Sequence, residues 1–405
     1  MTLLALQSLL RPLLFPASLL YAGFMRLRRR LWELHVLKSF TPSRPCIAVG
    51  NIALGGSGKT PVVDWLLAHA IQQGLSPAVL SRGYGAKPPQ LPLNVSLSHS
   101  AAEAGDEPLM LLSRHPQARV IVDPKRTRAA RFAEGNLHPD LFLLDDGFQH
   151  LAAGRHLNLV LLRPEDLGKD WNSVLPAGFW REGKSALHSA DAFLIKAEPE
   201  GFAALLPDIC ARLAPFKKPV FGFCLRPEPL RSLSSAPQEA CPAPGDPYVL
   251  VSGVGNPQQV RATASAFMKG LPKLHSVFPD HHAYSQEDAG RIAASGLPVL
   301  CTSKDAVKLR GLGIPSLWEL SVATVFCSSL WCGLPFPQWW DAWYKAASAA
   351  LANKRPPPKP AGYNPACGMA GGIAAFSQVQ ITKDFSKAAA GGTAALTQVH
   401  EPGTL

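Results

Sequence analysis

The segment Cys46-Ile47-Ala48-Val49-Gly50-Asn51-Ile52-Ala53-Leu54-Gly55-Gly56-Ser57-Gly58-Lys59-Thr60-Pro61 constrains the fold more than any other. An apolar run gives way to a glycine-rich stretch, and Lys-Thr then opens a helix through Val62, Val63, Trp65 and Leu66. A buried strand, a loop and a helix in that order form a phosphate cradle. The glycines let successive N–H groups turn inward, and the helix adds the positive end of its dipole. Lys59 would reach the β- and γ-phosphates of a nucleoside triphosphate, and the Thr60 hydroxyl would ligate Mg²⁺. The usual first glycine of G-x-x-x-x-G-K-T falls at Ala53, so this is a variant P-loop. Its nucleotide-binding residues would be Ala53, Leu54, Gly55, Gly56, Ser57, Gly58, Lys59 and Thr60. A glycine-rich strand-to-helix turn with a surface lysine is the plain alternative.

A chain of 405 residues exceeds what one core usually organises, so two domains are expected. Apolar runs at 77–81, 119–122, 141–144, 157–162 and 192–195 read as buried strands, with helices at 107–113 and 126–133 between them. That alternation predicts an α/β, P-loop NTPase-type fold: a mostly parallel sheet with helices on both faces, plus a smaller α/β C-terminal domain. Ligands in such sheets sit beyond the carboxyl ends of the strands. The chain divides into an N-terminal helix over 1–40, a P-loop core over 41–218, and a Pro-, Ser- and Ala-rich linker over 219–247. A smaller unit with strands at 248–252, 298–302 and near 274–278, and an aromatic helix over 331–350, completes residues 248–350. Residues 351–405 turn to Pro, Ala and Gly with few large apolar side chains, the composition of a disordered tail.

The formal charge of +11 points to an acidic partner. Nucleic acid is disfavoured, because no basic stripe interleaved with aromatics or recognition module accompanies that charge. Eight cysteines without a C-x-x-C pair, several in apolar strands, indicate reduced core thiols in the cytoplasm. Residues 1–25 are rich in leucine but interrupted by Arg11, Pro12 and Pro16, and Arg26-Leu27-Arg28-Arg29-Arg30 follows. A spanning helix needs about 20 apolar residues in a row, and a secretory signal carries its positive charge first. Two readings stand side by side: a segment lying in the lipid boundary with arginines on anionic headgroups, and an amphipathic helix packed on the protein. One helix can do both.

Four further clusters carry candidate chemistry. Asp145 and Asp146 follow an apolar strand and could hold a magnesium ion directly or through water, or could be turn residues. Asp106 precedes a helix and could be a catalytic base or an N-cap. Arg181 and Glu182 could face a transferring phosphoryl group or form a solvated loop pair. Phe278-Pro279-Asp280-His281-His282-Ala283-Tyr284 lacks the companions of a metal site, and a His oriented by a neighbouring Asp is the economical reading. Thr302-Ser303-Lys304-Asp305 could contact phosphate or be a surface charge pair.

Together these segments resemble the tetraacyldisaccharide 4′-kinase family of the lipid A pathway. The matching pieces are Gly50-Asn51 leading into the P-loop, Ser81-Arg82-Gly83-Tyr84-Gly85, Gly105-Asp106-Glu107-Pro108 and Asp145-Asp146-Gly147-Phe148-Gln149-His150. Leu175-Pro176-Ala177-Gly178 through Arg181-Glu182, Gly253-Val254-Gly255-Asn256-Pro257, Asp280-His281-His282 and Thr302 through Lys308 follow in order. Ser303 departs from the family pattern, which often has Glu there. The resemblance implies transfer of the γ-phosphoryl of ATP to the 4′-hydroxyl of a tetraacylated glucosamine disaccharide 1-phosphate. It implies Asp106 as base with His281 paired to it across a cleft, and Lys59 as a catalytic residue. Thr60, Asp145, Asp146 and Glu182 would organise Mg²⁺, with Arg181 near the phosphates. It also implies a lipid disaccharide substrate and attachment to the cytoplasmic face of the bacterial inner membrane; nothing in the sequence points to an obligate protein partner. A membrane-associated P-loop ATPase acting as a conformational switch is the competing class. It shares the loop and the helix but leaves the His281 cluster without a role.

Overall fold

In the computed structural model, residues 3–234, 240–360 and 363–365 are described. The strands are β1 (Cys46–Asn51), β2 (Pro77–Ser81), β3 (Leu93–Asn94), β4 (Arg119–Val122), β5 (Leu141–Asp145), β6 (Leu157–Leu162), β7 (Ala192–Lys196), β8 (Val220–Pro227), β9 (Arg231–Ser232), β10 (Val249–Ser252), β11 (Leu274–Val277), β12 (Val299–Thr302), β13 (Leu317–Leu320) and β14 (Val322–Leu330). Nine of them form one sheet in the order β14-β8-β7-β6-β1-β5-β2-β4-β3, and five form a second in the order β11-β10-β12-β13-β9. The large sheet is parallel except at its edges, where β3 pairs with β4 and β14 with β8 antiparallel.

The central strands are apolar along their whole length because both faces are covered. Side chains of β1 alternate between two cores. Ile47 and Val49 pack with Val62, Val63, Leu66 and Leu67 of the helix Lys59–Gln72. Cys46 and Ala48 pack with Ala129, Ala130 and Ala133 of the helix Arg126–Asn136. Burial also raises the Cys46 thiol to about 12, keeping it protonated as a core residue. The helix Phe336–Ala352 closes the first face with Phe336, Trp339, Trp340, Trp343 and Ala347, an i, i+3, i+4, i+7, i+11 stripe.

The division of the chain differs from the expected one. β8 lies inside the segment expected as linker, yet it is a strand of the large sheet. β14 and the helix Phe336–Ala352, expected in the smaller unit, return to the large sheet. The smaller unit is therefore built on β9 to β13, and β8 and β14 form the two-stranded connection through which the chain leaves and comes back. Most of the expected tail lies outside the described residues. Of its described part, Lys359 Nζ donates to Asp191 Oδ1 at 3.0 Å and the Tyr363 ring packs against Trp331. The N-terminal helix runs from Leu3 to Glu33 through Pro12 and Pro16. No helix among the described residues is long and apolar enough to cross a membrane.

Candidate active site

The glycine-rich loop leaves β1 at the carboxyl edge of the sheet, between β5 and β6. Its left-handed torsions fall at Gly55 (φ 101°) and Gly58 (φ 88°), and a Cβ at Gly58 would lie 3.2 Å from the Phe223 ring. Ala53, at the usual first-glycine position, is buried and forms an isolated bridge to Trp180. The Leu54 N–H donates to Phe179 O at 2.8 Å and the Arg181 N–H to Ile52 O at 2.7 Å, so the 173–181 loop is the wall of the cradle. The Ser57 hydroxyl is buried without a hydrogen-bond partner, a donor suited to a phosphate oxygen. Lys59 opens the helix, with Thr60 beside it.

The acidic pair sits directly beside this loop. Lys59 Nζ donates to Asn51 Oδ1 at 3.2 Å and lies 3.5 Å from Asp146 Oδ1. Arg181 donates to Asp146 Oδ2 at 2.9 Å and to Gln149 Oε1 at 3.2 Å. Burial pushes the Asp146 carboxyl up, but Lys59 and Arg181 outweigh it and leave the group below the usual carboxylate range. Asp145 has the opposite balance. Burial first, then the negative charges of Glu107 and Asp146, raise it to about 7. Two adjacent carboxylates with opposed shifts mark a place where a divalent cation would add the missing positive charge. Among the described residues no cluster of three or more His, Cys, Asp or Glu could hold a metal by itself. Mg²⁺ asks for fewer protein ligands, since one or two carboxylates hold it with water and phosphates supplying the rest.

Asp106 begins the helix Asp106–Arg114, and the smaller unit meets it there. Lys308 Nζ donates to Asp106 Oδ2 at 3.0 Å, and His281 Nδ1 lies 3.2 Å from the same oxygen. Lys308 also lies 3.8 Å from Asp305, whose carboxylate accepts from Thr302, Tyr284 and the Gly253 N–H. Lys304 bonds Asp280 Oδ1 at 2.6 Å and is 3.3 Å from His281 Nε2. Asp106 is therefore met across the cleft by a lysine and a histidine of the other unit. His281 (φ 63°) and Asp146 (φ 49°) both hold left-handed torsions, which non-glycine residues adopt chiefly where surrounding structure imposes them.

The chain belongs to the tetraacyldisaccharide-1-P 4′-kinase family. The family's model matches residues 10–331. Tetraacyldisaccharide 4′-kinase of Nitratidesulfovibrio vulgaris is 53% identical over 351 residues, 87% of this chain and 98% of that protein. The Oleidesulfovibrio alaskensis enzyme of the same name is 50% identical over 357 residues, 86% of this chain and 99% of that one. A crystal structure of LpxK from Aquifex aeolicus in complex with ATP superposes with a TM-score of 0.64 at 30% identity, covering 78% of this chain and 95% of that chain.

The site residues expected from the family motifs divide into those brought together and one that is not. Lys59, Asp146 and Arg181 are in contact, Asp145 adjoins them, and Asp106 meets His281. Glu182 is engaged by Arg29: both its oxygens accept from that guanidinium, at 2.9 and 2.8 Å, and it is buried. Its carboxylate is the counter-ion of Arg29 on the N-terminal helix, and the metal role expected for it rests on the family motif alone. Sequence reasoning gave no role to Lys308, Asn51, Gln149 or Arg126. Arg126 is buried, with Nη2 3.4 Å from Asp145 O and Nε without a protein partner. Its place at the start of a helix following a strand end was the available signal.

Proposed function

We propose that the cleft between the two units moves the γ-phosphoryl group of ATP onto the 4′-hydroxyl of a tetraacylated glucosamine disaccharide 1-phosphate, with Asp106 as the base. One observation carries the assignment: Asp106 stands on the P-loop unit, within contact distance of Lys308 and His281 from the other. Its neighbour Glu107 is near enough to Asp145 to raise that carboxyl. The base and the acidic pair thus share one electrostatic neighbourhood.

Phosphoryl transfer asks for alignment and charge neutralisation more than covalent chemistry. The loop amides, Ser57 and Lys59 would cradle the phosphates, and Arg181 would face the group in flight. Thr60, Asp145 and Asp146 would hold Mg²⁺, which would supply charge neutralisation for the transfer. Asp106 accepts the hydroxyl proton as that oxygen bonds to the γ-phosphorus, and the bond to the ADP oxygen breaks. His281 orients the carboxylate and is placed to share the proton. Because base and partners come from different units, the site is complete only when the units are together, which limits transfer to water.

The lipid acceptor accounts for the N-terminal helix. Leu13 and Leu20 are each 78% exposed and Phe24 is 64% exposed, more apolar surface than a helix wholly in water carries. Arg26 and Arg30 are exposed beside them. This face suits the cytoplasmic surface of the inner membrane, with cations at anionic headgroups. The other face packs on the protein, where Ser18 Oγ accepts the Ala177 N–H at 2.9 Å.

Steady-state kinetics of Asp106→Asn test the assignment. The variant should lose roughly 10²–10⁴-fold in kcat, while calorimetry finds MgATP binding near the wild-type value. A variant that keeps its kcat removes Asp106 from the base role.

A further inference from the structure

The helix that faces lipid also touches the nucleotide site, through Arg29. Its guanidinium forms a fork-to-fork pair with Glu182, with side-chain exposures of 7% and 2%, and it lies 4.9 Å over the Phe148 ring. Arg28 Nη2 donates to Gln149 O at 3.3 Å. These contacts fall on two short segments that carry the cation-binding and phosphate-facing groups. Glu182 directly follows Arg181, which bonds Asp146 and Gln149. Phe148 and Gln149 follow Asp146, and Phe148 backs onto β1 so closely that a Cβ at Gly50 would come within 2.5 Å of it. One turn of helix therefore grips both flanks of the Arg181–Asp146 pair.

We propose that Arg29 is a positioning residue that couples seating of the N-terminal helix on an anionic lipid surface to the affinity of the MgATP site. The proposal rests on the nucleotide reading of that site. A buried ion pair repays its desolvation only when its geometry is held. Lipid loads the opposite face of the same helix, at Leu13, Leu20 and Phe24, and so favours the seated position in which Arg29 meets Glu182. Seating fixes Glu182, which fixes Arg181 against Asp146. A helix lifted from the surface can shift, and the two flanks are then free to part. The enzyme would hold nucleotide best where its lipid acceptor is found.

Linkage makes the coupling measurable in both directions, since each ligand must raise the other's affinity by the same factor. The full chain is titrated with MgATP by calorimetry, alone and with phosphatidylethanolamine vesicles containing phosphatidylglycerol. Vesicle sedimentation is measured with and without MgATP. The expected result for the natural protein is about a fivefold or larger gain in each direction, the lower range of allosteric couplings. Arg29→Met/Glu182→Met removes both buried charges together and should still sediment with vesicles, while the vesicle effect on MgATP affinity disappears. Arg29→Lys, which keeps the charge but not the fork, should retain part of it. Equal MgATP affinity of the natural protein with and without vesicles overturns the proposal, and so does a full vesicle effect in Arg29→Met/Glu182→Met or its complete loss in Arg29→Lys. A natural protein that binds no MgATP in either condition refutes the nucleotide reading instead.

Discussion

At the scale of single residues, the site works by opposed charge. Asp146 is held below the carboxylate range by Lys59 and Arg181 against its burial, while Asp145, one residue away, is raised to about 7. Removing Lys59 takes away one of the two cations on Asp146 and, on the proposed reading, a phosphate ligand. Lys59→Ala should therefore lower kcat by about a hundredfold or more, the scale of losing a preorganised charge at a developing anion. A loss of less than about tenfold would mean that the loop lysine does not face the transferred group. These residues were legible in the sequence because they lie in short local motifs. The pairing of Glu182 with Arg29 and of Lys308 with Asp106 was not, since the partners are separated by 153 and 202 residues. Spacing along a chain carries no information about such pairs until the fold brings them together.

At the scale of elements, the strands buried on both faces could be read from the sequence. The expected 77–81, 119–122 and 157–162 coincide with β2, β4 and β6. β14 was missed because polar Thr324, Ser328 and Ser329 interrupt its apolar pattern, and its pairing with β8 is non-local. One contact beneath the sheet predicts a pH dependence. The neutral His156 ring accepts the Cys46 N–H at Nδ1, 3.0 Å away, next to the first residue of β6. Burial, then Lys359, lowers this imidazole from the ordinary 6.5 to about 4. The unfolded chain thus takes up a proton before the folded one, and stability must fall as pH drops from about 6.5 towards 4. The ring is partly solvated, so its share should be roughly 1–2 kcal/mol. Urea melts of the natural protein and His156→Gln at pH 7 and pH 4.5 check this: the variant should lose less stability between the two. The exposed face of the N-terminal helix is tested separately. Leu20→Glu/Phe24→Glu should release the protein from vesicles by about tenfold or more, given roughly 1.5–3 kcal/mol for each buried apolar side chain. Unchanged sedimentation would contradict the lipid-facing role.

At the scale of the molecule, the two units close on the helix Asp106–Arg114. Its first residue meets Lys308 and His281. At its last, Arg114 pairs with Asp64 of the P-loop helix at 2.9 Å, with Glu228 at 2.8 Å and with the buried Glu319 at 3.9 Å. One guanidinium thereby joins the phosphate loop's helix, the connection and the second sheet. Arg114→Met takes the shared cation from three carboxylates, of which Asp64 keeps His115 and Glu319 keeps Arg231, and should cost about 2–3 kcal/mol, below the full scale for breaking a buried pair from one side. A change below about 1 kcal/mol in thermal or urea unfolding would remove Arg114 from this role. That the units share a cleft was implied by the family resemblance. That they are latched at both ends of one helix came only from the fold. The central claim is that this cleft hands a phosphoryl group to a lipid alcohol. Incubation with γ-labelled ATP and the tetraacylated disaccharide 1-phosphate in mixed micelles tests it most directly. The account predicts label in the lipid phase at the 4′ position, dependent on Mg²⁺ and lost in Lys59→Ala. Label recovered only as free phosphate, whether or not the lipid is present, would contradict it.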